Sequence, residues 1–127
     1  MRSVLIAAAL GLIAAPAMAA DVFGVWKSEP SDEGAYIHVE IKECGDKVCG
    51  TILKQFNSTS GRNVEGKSII WDMVPDGTNK WDDGTIWAPD DDETYSSKME
   101  LNGDVLRVSG CVMGGLICRG QDWTRVK

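Results

Sequence analysis

The sequence predicts an all-β protein, a small eight-stranded antiparallel up-and-down barrel. Three observations carry that expectation. Apolar and polar residues alternate over many short runs, turn chemistry separates most of these runs, and no stretch keeps the apolar period of an amphipathic helix.

The chain opens with a charged start (Met1, Arg2), an apolar run from Val4 to Ala15, and small residues flanking Met18 at Ala17 and Ala19. This is the pattern of a secretory signal peptide, expected over 1–19 and removed to leave a single domain over 20–127. The apolar run falls short of the roughly twenty residues a membrane-spanning helix needs, and no cysteine follows the cleavage site to carry a lipid. The expected product is soluble and exported, periplasmic or secreted, with no stable membrane insertion. About 108 residues suffice for one modest core. The formal charge of −6 and the lack of any basic run exclude a protein that grips nucleic acid by its phosphates, and argue equally against an anionic membrane.

"GVWKSE" is the first strand candidate. In the next, from Ala35 to Cys44, Ala35, Ile37, Val39 and Ile41 alternate with Tyr36, His38, Glu40 and Lys42. After a turn, Val48, Gly50, Ile52, Lys54 and Phe56 continue the alternation. A two-residue loop at Asp46-Lys47 would set Ile41 opposite Ile52, Ile37 opposite Phe56, and Cys44 opposite Cys49 on the other face, where a disulfide fits. Asp-Lys lacks the positive-φ preference of such loops, so a longer loop with the same pairing stays open.

"KSIIWDM", "GTIWAP", "TYSSKMEL", "VLRVSG" and "RGQDWTRV" complete eight candidates. Asn102-Gly103 is the clearest hairpin signal. A four-residue loop there sets Leu101 against Leu106 and Glu100 against Arg107, whereas a two-residue loop centred on Asn102-Gly103 would oppose Lys98 to Arg107, and like charges directly opposed are destabilising. Closing eight strands into a barrel removes the unpaired edges of an open sheet. Trp26, Ile37, Ile41, Phe56 and Trp123 are assigned inward, and Gly24 and Gly50 suggest room.

Four cysteines, Cys44, Cys49, Cys111 and Cys118, in a short exported chain read as two disulfides. Their spacings of four and six intervening residues fit neither zinc ligands nor a thioredoxin-type motif. Spacing favours local pairing, Cys44 with Cys49 and Cys111 with Cys118, and leaves crossed pairings open.

"GVWKSE", "ECGDKVCGTIL", "GKSIIWDMVPDG", "KWDDGTIWAPDDDETYSSKMEL", "LRVSGC" and "GQDWTRV", in that order from Phe23 to the C-terminus, resemble the uncharacterised bacterial exported family known as domain of unknown function 2147. The resemblance implies a calycin-like barrel related to the lipocalins and fatty-acid-binding proteins. It brings no activity, substrate or catalytic residue. Gly24-Val25-Trp26 and Arg125 are further similar to the lipocalin marks of a first-strand Gly-x-Trp and a last-strand Arg lying over that Trp, a barrel closure by Gly24, Trp26 and Arg125.

Trp71 to Tyr95 holds three of the five tryptophans and a dense set of acids. Trp71, Trp81, Trp87 and Tyr95 are the candidate lining of a site for a small hydrophobic ligand. Against this, the tryptophans could be core, and Pro75-Asp76-Gly77 and Asp82-Asp83-Gly84 ordinary turns. Asp76, Asp82, Asp83, Asp90, Asp91 and Asp92 offer hard ligands for calcium but lack the EF-hand spacing. No metal or cofactor is expected. The single histidine, His38, falls on the outer face, and no carboxylate spacing selects a pair, so no catalytic residue is assigned and the protein is not expected to be an enzyme. Two functional readings compete: a barrel that binds a small hydrophobic or amphipathic ligand, and a filled barrel serving as an interaction or structural module of the cell envelope.

Overall fold

The computed structural model describes residues 21–127; the leader expected over 1–19 lies outside the described residues. Eight strands run β1 (Gly24–Lys27), β2 (Tyr36–Cys44), β3 (Lys47–Phe56), β4 (Ser68–Pro75), β5 (Lys80–Ala88), β6 (Glu93–Asn102), β7 (Val105–Val112) and β8 (Ile117–Arg125). Each pairs antiparallel with its sequence neighbours, and β8 returns to β1, closing an up-and-down barrel. One end carries the connections 28–35, 57–67, 89–92 and 113–116. The other carries residues 21–23, the turns 45–46, 76–79 and 103–104, and the C-terminus.

The β2–β3 hairpin corrects the expected register. Gly45-Asp46, not Asp46-Lys47, forms the loop, because Gly45 takes φ 68° at the first loop position, a value that suits glycine. From the turn to Val39 every pair slips by two, so Ile41 faces Gly50 and Val39 faces Ile52. A slip of two keeps each side chain on its own face, which is why the alternation gave no warning. Cys44 and Cys49 are therefore diagonal neighbours on the outer wall, bonded at a Cα–Cα distance of 5.9 Å.

A second correction lies further along the same pair of strands. The register shifts between His38 and Val39, where Leu53 is an extra residue in β3. This β-bulge reverses the face of every later residue in the strand. Lys54 now lies opposite His38, Gln55 opposite Ile37, and Phe56 opposite Tyr36. Phe56 is not in the core; its ring stacks on Tyr36 with centroids 4.6 Å apart.

At β6–β7 the expected pairs Leu101 with Leu106 and Glu100 with Arg107 are present, but Asn102 also pairs with Val105, so the loop is the two residues Gly103-Asp104. Gly103 again supplies the positive φ, 64°. Cys111 lies directly opposite Cys118 on β8, and the two are bonded.

The interior is filled. Trp26, Trp123, Ile41, Ile52, Ile70, Met73, Leu106, Val22 and Val39 are each under 2 % exposed or at that limit. Gly50 does not leave room, since a Cβ there would sit 2.8 Å from Ile70 Cγ1; one at Gly84 would sit 2.5 Å from Met73 Sδ. These glycines accommodate large neighbours. Ile37 is half-buried against the edge of this core.

The closing seam is narrow. β1 pairs with β8 at only Trp26–Arg125 and Lys27–Thr124, extended by Val25 N–H to the Lys127 carbonyl (2.7 Å) and Val126 N–H to the Val25 carbonyl (2.8 Å). Side chains reinforce it. The Arg125 guanidinium lies 4.4 Å from the Trp26 ring centroid, and donates to the carbonyls of Phe23 (3.1 Å) and Asp21 (2.6 Å) and to Asp104 Oδ1 (3.0 Å). The Trp26 indole N–H donates to the Val22 carbonyl at 2.9 Å. Gly24 has φ 133°, and a Cβ there would strike the Lys127 carbonyl.

Arg125→Ala is expected to lower stability by about 2–4 kcal/mol, combining the lost cation–π contact with lost charge-assisted hydrogen bonds. Arg125→Lys recovers only part, because an ammonium has no planar face. Gly24→Ala is expected to be worse than Arg125→Lys. Urea midpoints of the purified variants check all three, and equal midpoints for wild type, Arg125→Ala and Arg125→Lys would show Arg125 to be a surface charge.

Candidate functional site

The wider end of the barrel is crossed by the longest connection, 57–67. The bulge at Leu53 is what anchors it, by placing Gln55 opposite Ile37. Gln55 Oε1 accepts from Val64 N–H (2.7 Å), and its amide nitrogen donates to the Arg62 carbonyl (3.0 Å). Arg62 reaches across to the Pro89 carbonyl at 2.6 Å. Val64 is thereby packed, with Ile37, Ile86 and Trp87, on the top of the core. The mouth is a half-buried apolar ring under a tethered strap.

The four expected lining residues do not converge. Trp81 is core, 5 % exposed, opposite Pro75 and Met99. It backs a recess of about 160 Å³ at the narrow end, shared with Phe23, Val48, Pro75 and Asn79. Trp71 is half-buried opposite Thr85. Trp87 lies opposite Thr94 and Tyr95 opposite Ile86, on opposite faces of the wall, and each is tied separately to the β5–β6 turn: Trp87 Nε1 donates to Asp92 Oδ1 (2.9 Å) and Tyr95 O–H to Asp91 Oδ2 (2.8 Å). Asp91 and Asp92 thus act as turn acceptors, whereas Asp82-Asp83-Gly84, offered as an ordinary turn, lies inside β5, where the register to β6 shifts between Trp81 and Gly84 and Asp82 Oδ1 accepts from the Asp83 N–H (2.8 Å). Among the described residues no group of three or more His, Cys, Asp or Glu is placed to hold a metal ion. The Tyr95 phenol is pushed above its ordinary pKa, chiefly by the hydrogen bond to Asp91, then by burial and by the Asp91 and Glu93 charges, with Arg119 opposing.

A second recess, about 360 Å³, opens on the outer wall between Asp82, Asp83, Ser96, Lys98 and the Cys111–Cys118 bridge. Beside it projects a tip that sequence reasoning did not single out. Met113, Gly114 and Gly115 all have positive φ and reverse the chain between the two bridged cysteines. Val112, Met113, Leu116 and Ile117 stand in solvent, Leu116 at 84 % exposed. The sequence marks this stretch as the end of the last hairpin, enclosed by Cys111 and Cys118, and its apolar character was the available signal of a further role. Arg119 and the acids Asp91 and Glu93 share this rim through Tyr95.

The outer wall of β1–β3 holds another group missed in the sequence. Lys27, His38 and Lys54 are directly opposed across three neighbouring strands. The Lys27 ammonium lies 4.4 Å from the Tyr36 ring centroid and that of Lys54 5.7 Å from the Phe56 ring centroid. His38 packs on Phe56 with centroids 4.6 Å apart. Burial first, then the charges of Lys27 and Lys54, holds the imidazole pKa below its ordinary 6.5.

A bacterial family described as "Uncharacterized protein conserved in bacteria (DUF2147)" matches residues 24–125. No curated protein matches the sequence. Among solved structures, protein HP1028 from Helicobacter pylori, described as belonging to the lipocalin family, is similar with a TM-score of 0.71 over 84 % of each chain, at 14 % identity. The likeness is one of fold.

Of the two tyrosines, Tyr95 is expected to ionise above the ordinary phenol value, and Asp91→Asn to bring it down toward that value by removing both the charge and the strong acceptor. Alkaline absorbance titration of wild type, Asp91→Asn and Tyr95→Phe measures this. An unchanged curve in Asp91→Asn would mean that the hydrogen bond does not persist in solution.

Proposed function

The chain belongs to the uncharacterised bacterial family DUF2147, and we propose that it is a non-catalytic interaction module of the cell envelope, a filled barrel that presents the tip 112–117 to a partner protein. The observation that carries this reading is the tip itself. A chain that buries its large interior side chains almost completely nevertheless leaves Met113, Leu116 and Ile117 at 57 % exposure or more on one bridged reversal. Clustered exposed apolar side chains mark interaction surfaces, and the disulfide lowers the ordering cost of docking. The acidic run 90–93 on the same rim favours a partner whose apolar pocket has a basic border. Export is supported by the leader pattern and by two disulfides, which persist in oxidising compartments. Absence of catalysis is supported by His38, which stands on the outer wall with a lysine directly opposite it on each neighbouring strand.

A second reading is favoured by the mouth. Ile37, Val64, Ile86 and Trp87 form a half-buried apolar ring, and a small amphipathic ligand would be held there, under the strap, with Tyr95 near its polar end. Such a ligand would sit on the core, not within it.

One set of measurements separates the two. A photo-activated cross-linking residue at Leu116, in living cells, is expected to give one discrete protein adduct that a synthetic disulfide-closed peptide spanning 111–118 suppresses and that Met113→Asp abolishes without changing stability. No adduct at Leu116, or one indifferent to the peptide, sinks the module reading. Fatty acids, quinones and envelope lipids titrated against tryptophan emission test the mouth: saturable quenching that weakens in Trp87→Phe would favour ligand binding instead.

A further inference from the structure

We propose that the outer wall of β1–β3 carries an oxyanion site, built from Lys27, His38 and Lys54, that takes a phosphate-monoester group. The site lies apart from the tip and the mouth and does not depend on either reading above.

The first ground is uncompensated charge. Lys27, His38 and Lys54 occupy one straight cross-strand row, Lys27 opposite His38 and His38 opposite Lys54. Neighbouring strands lie about 4.8 Å apart, so the row spans about 10 Å at the backbone. At neutral pH the two lysine charges flank an uncharged imidazole on one face of the wall. Among the described residues the ion pairs are Arg107–Asp122 and Arg125–Asp104, and neither lysine takes part in one. Glu40, the nearest acid along the same face of β2, lies opposite Val25 and Thr51 rather than in the row. In a chain of formal charge −6, an uncompensated cationic row is a local inconsistency of the kind that marks functional positions.

The second ground is that the backbone departs from regularity to make the row. Without the bulge, the register set by Val39 and Ile52 would continue to place Leu53 opposite His38 and would turn Lys54 to the other face. The bulge re-aims Lys54, and bulges gather where a side chain must be re-aimed. The third ground is preorganisation. Lys27 is held over Tyr36 and Lys54 over Phe56, and those two rings stack on each other, so the ammonium groups are positioned before any ligand arrives.

The donor set fits a dianion. Two ammonium charges flank an imidazole that is mostly neutral at pH 7 and can donate one N–H. A phosphate monoester, carrying roughly −1.5 to −2 at pH 7, matches them, whereas a lone carboxylate would leave a positive surplus. Sources of that chemistry are a soluble phosphate ester and a lipid headgroup. The groups facing His38 are Lys27 from β1, Lys54 from β3, and Tyr36 and Glu40 from its own strand. A bound dianion favours the imidazolium and raises the His38 pKa. By linkage, affinity for a fixed-charge dianion must strengthen as pH falls through the His38 pKa, which in the free protein lies below 6.5.

His38 is the only histidine, so its ring protons are an unambiguous NMR reporter. Inorganic phosphate titrated at constant ionic strength is expected to shift them saturably and to raise the imidazole pKa. Sulfate should do the same, with affinity increasing from pH 7.5 to 5.5. Lys27→Met/Lys54→Met keeps the apolar stems and is expected to weaken binding roughly tenfold or more. Each single variant should weaken it by a smaller factor, which keeps the test decisive if the double variant folds poorly. Glycerol 3-phosphate and vesicles of phosphatidic acid, each competing against sulfate, distinguish a soluble ester from a headgroup, displacement by either upholding the site. A shift linear in phosphate, equal to that from chloride, or unchanged in the lysine variants overturns it.

Discussion

The barrel depends on a seam that is almost too short to hold. Eight strands form a closed wall only if the first and last pair, and β1 is a strand of Gly24–Lys27 with two ladder positions against β8. A net contribution of about 1 kcal/mol per hydrogen bond makes so short a ladder marginal. Arg125 turns it into a firm closure by acting in three directions at once: over the Trp26 ring, onto the carbonyls of Asp21 and Phe23, and across to Asp104 at the β6–β7 turn. Its side chain is only 21 % exposed, so these interactions are less screened than those of a surface arginine. Gly24 belongs to the same device. Its backbone conformation, φ 133°, and its missing side chain let the C-terminal carbonyl and the guanidinium approach.

With the seam closed and Val22 and Trp26 filling the narrow end, the interior becomes one continuous core. An eight-stranded barrel can enclose a ligand or fill with side chains. Here three tryptophans, Trp26, Trp81 and Trp123, fill it together with Met73, and Gly50 and Gly84 yield their side-chain volume to Ile70 and Met73. Recognition is thereby displaced to surfaces the core does not need. These are the bridged tip, the strapped mouth and the cationic row. Both disulfides stand on the outer face as well, where they brace hairpin ends that the core does not reach.

A single inserted residue links two of these surfaces. Leu53 has no ladder partner and is 45 % exposed, a cost in both pairing and apolar burial. In return Lys54 and Phe56 turn outward to complete the row, and Gln55 turns toward the strap to hold Val64 and Arg62. The same reversal therefore organises an outer-wall cluster and caps the barrel mouth.

The features legible in the residues alone were local ones. Alternation located β2 and β3, and short runs bounded by turn chemistry located the other six, although β5 begins at Lys80, four residues before its candidate run. Leu101 against Leu106 was legible because like charges select between registers three residues from a turn. The seam was indicated only through the resemblance of Gly24-Val25-Trp26 and Arg125 to the lipocalin marks, and Arg125 does lie over Trp26. The features that needed the assembled barrel were non-local. The β2–β3 slip was invisible because a shift of two preserves both faces. Phe56 moved outward because a bulge is set by the fit between neighbouring strands. Trp81 went to the core while Trp87 went to a turn aspartate, although both occupy similar aromatic runs. Lys27, His38 and Lys54 are unremarkable in the chain and form a row only when three strands lie side by side. Cross-strand neighbours are chosen by the register of the closed barrel, and no residue carries that register in its own identity.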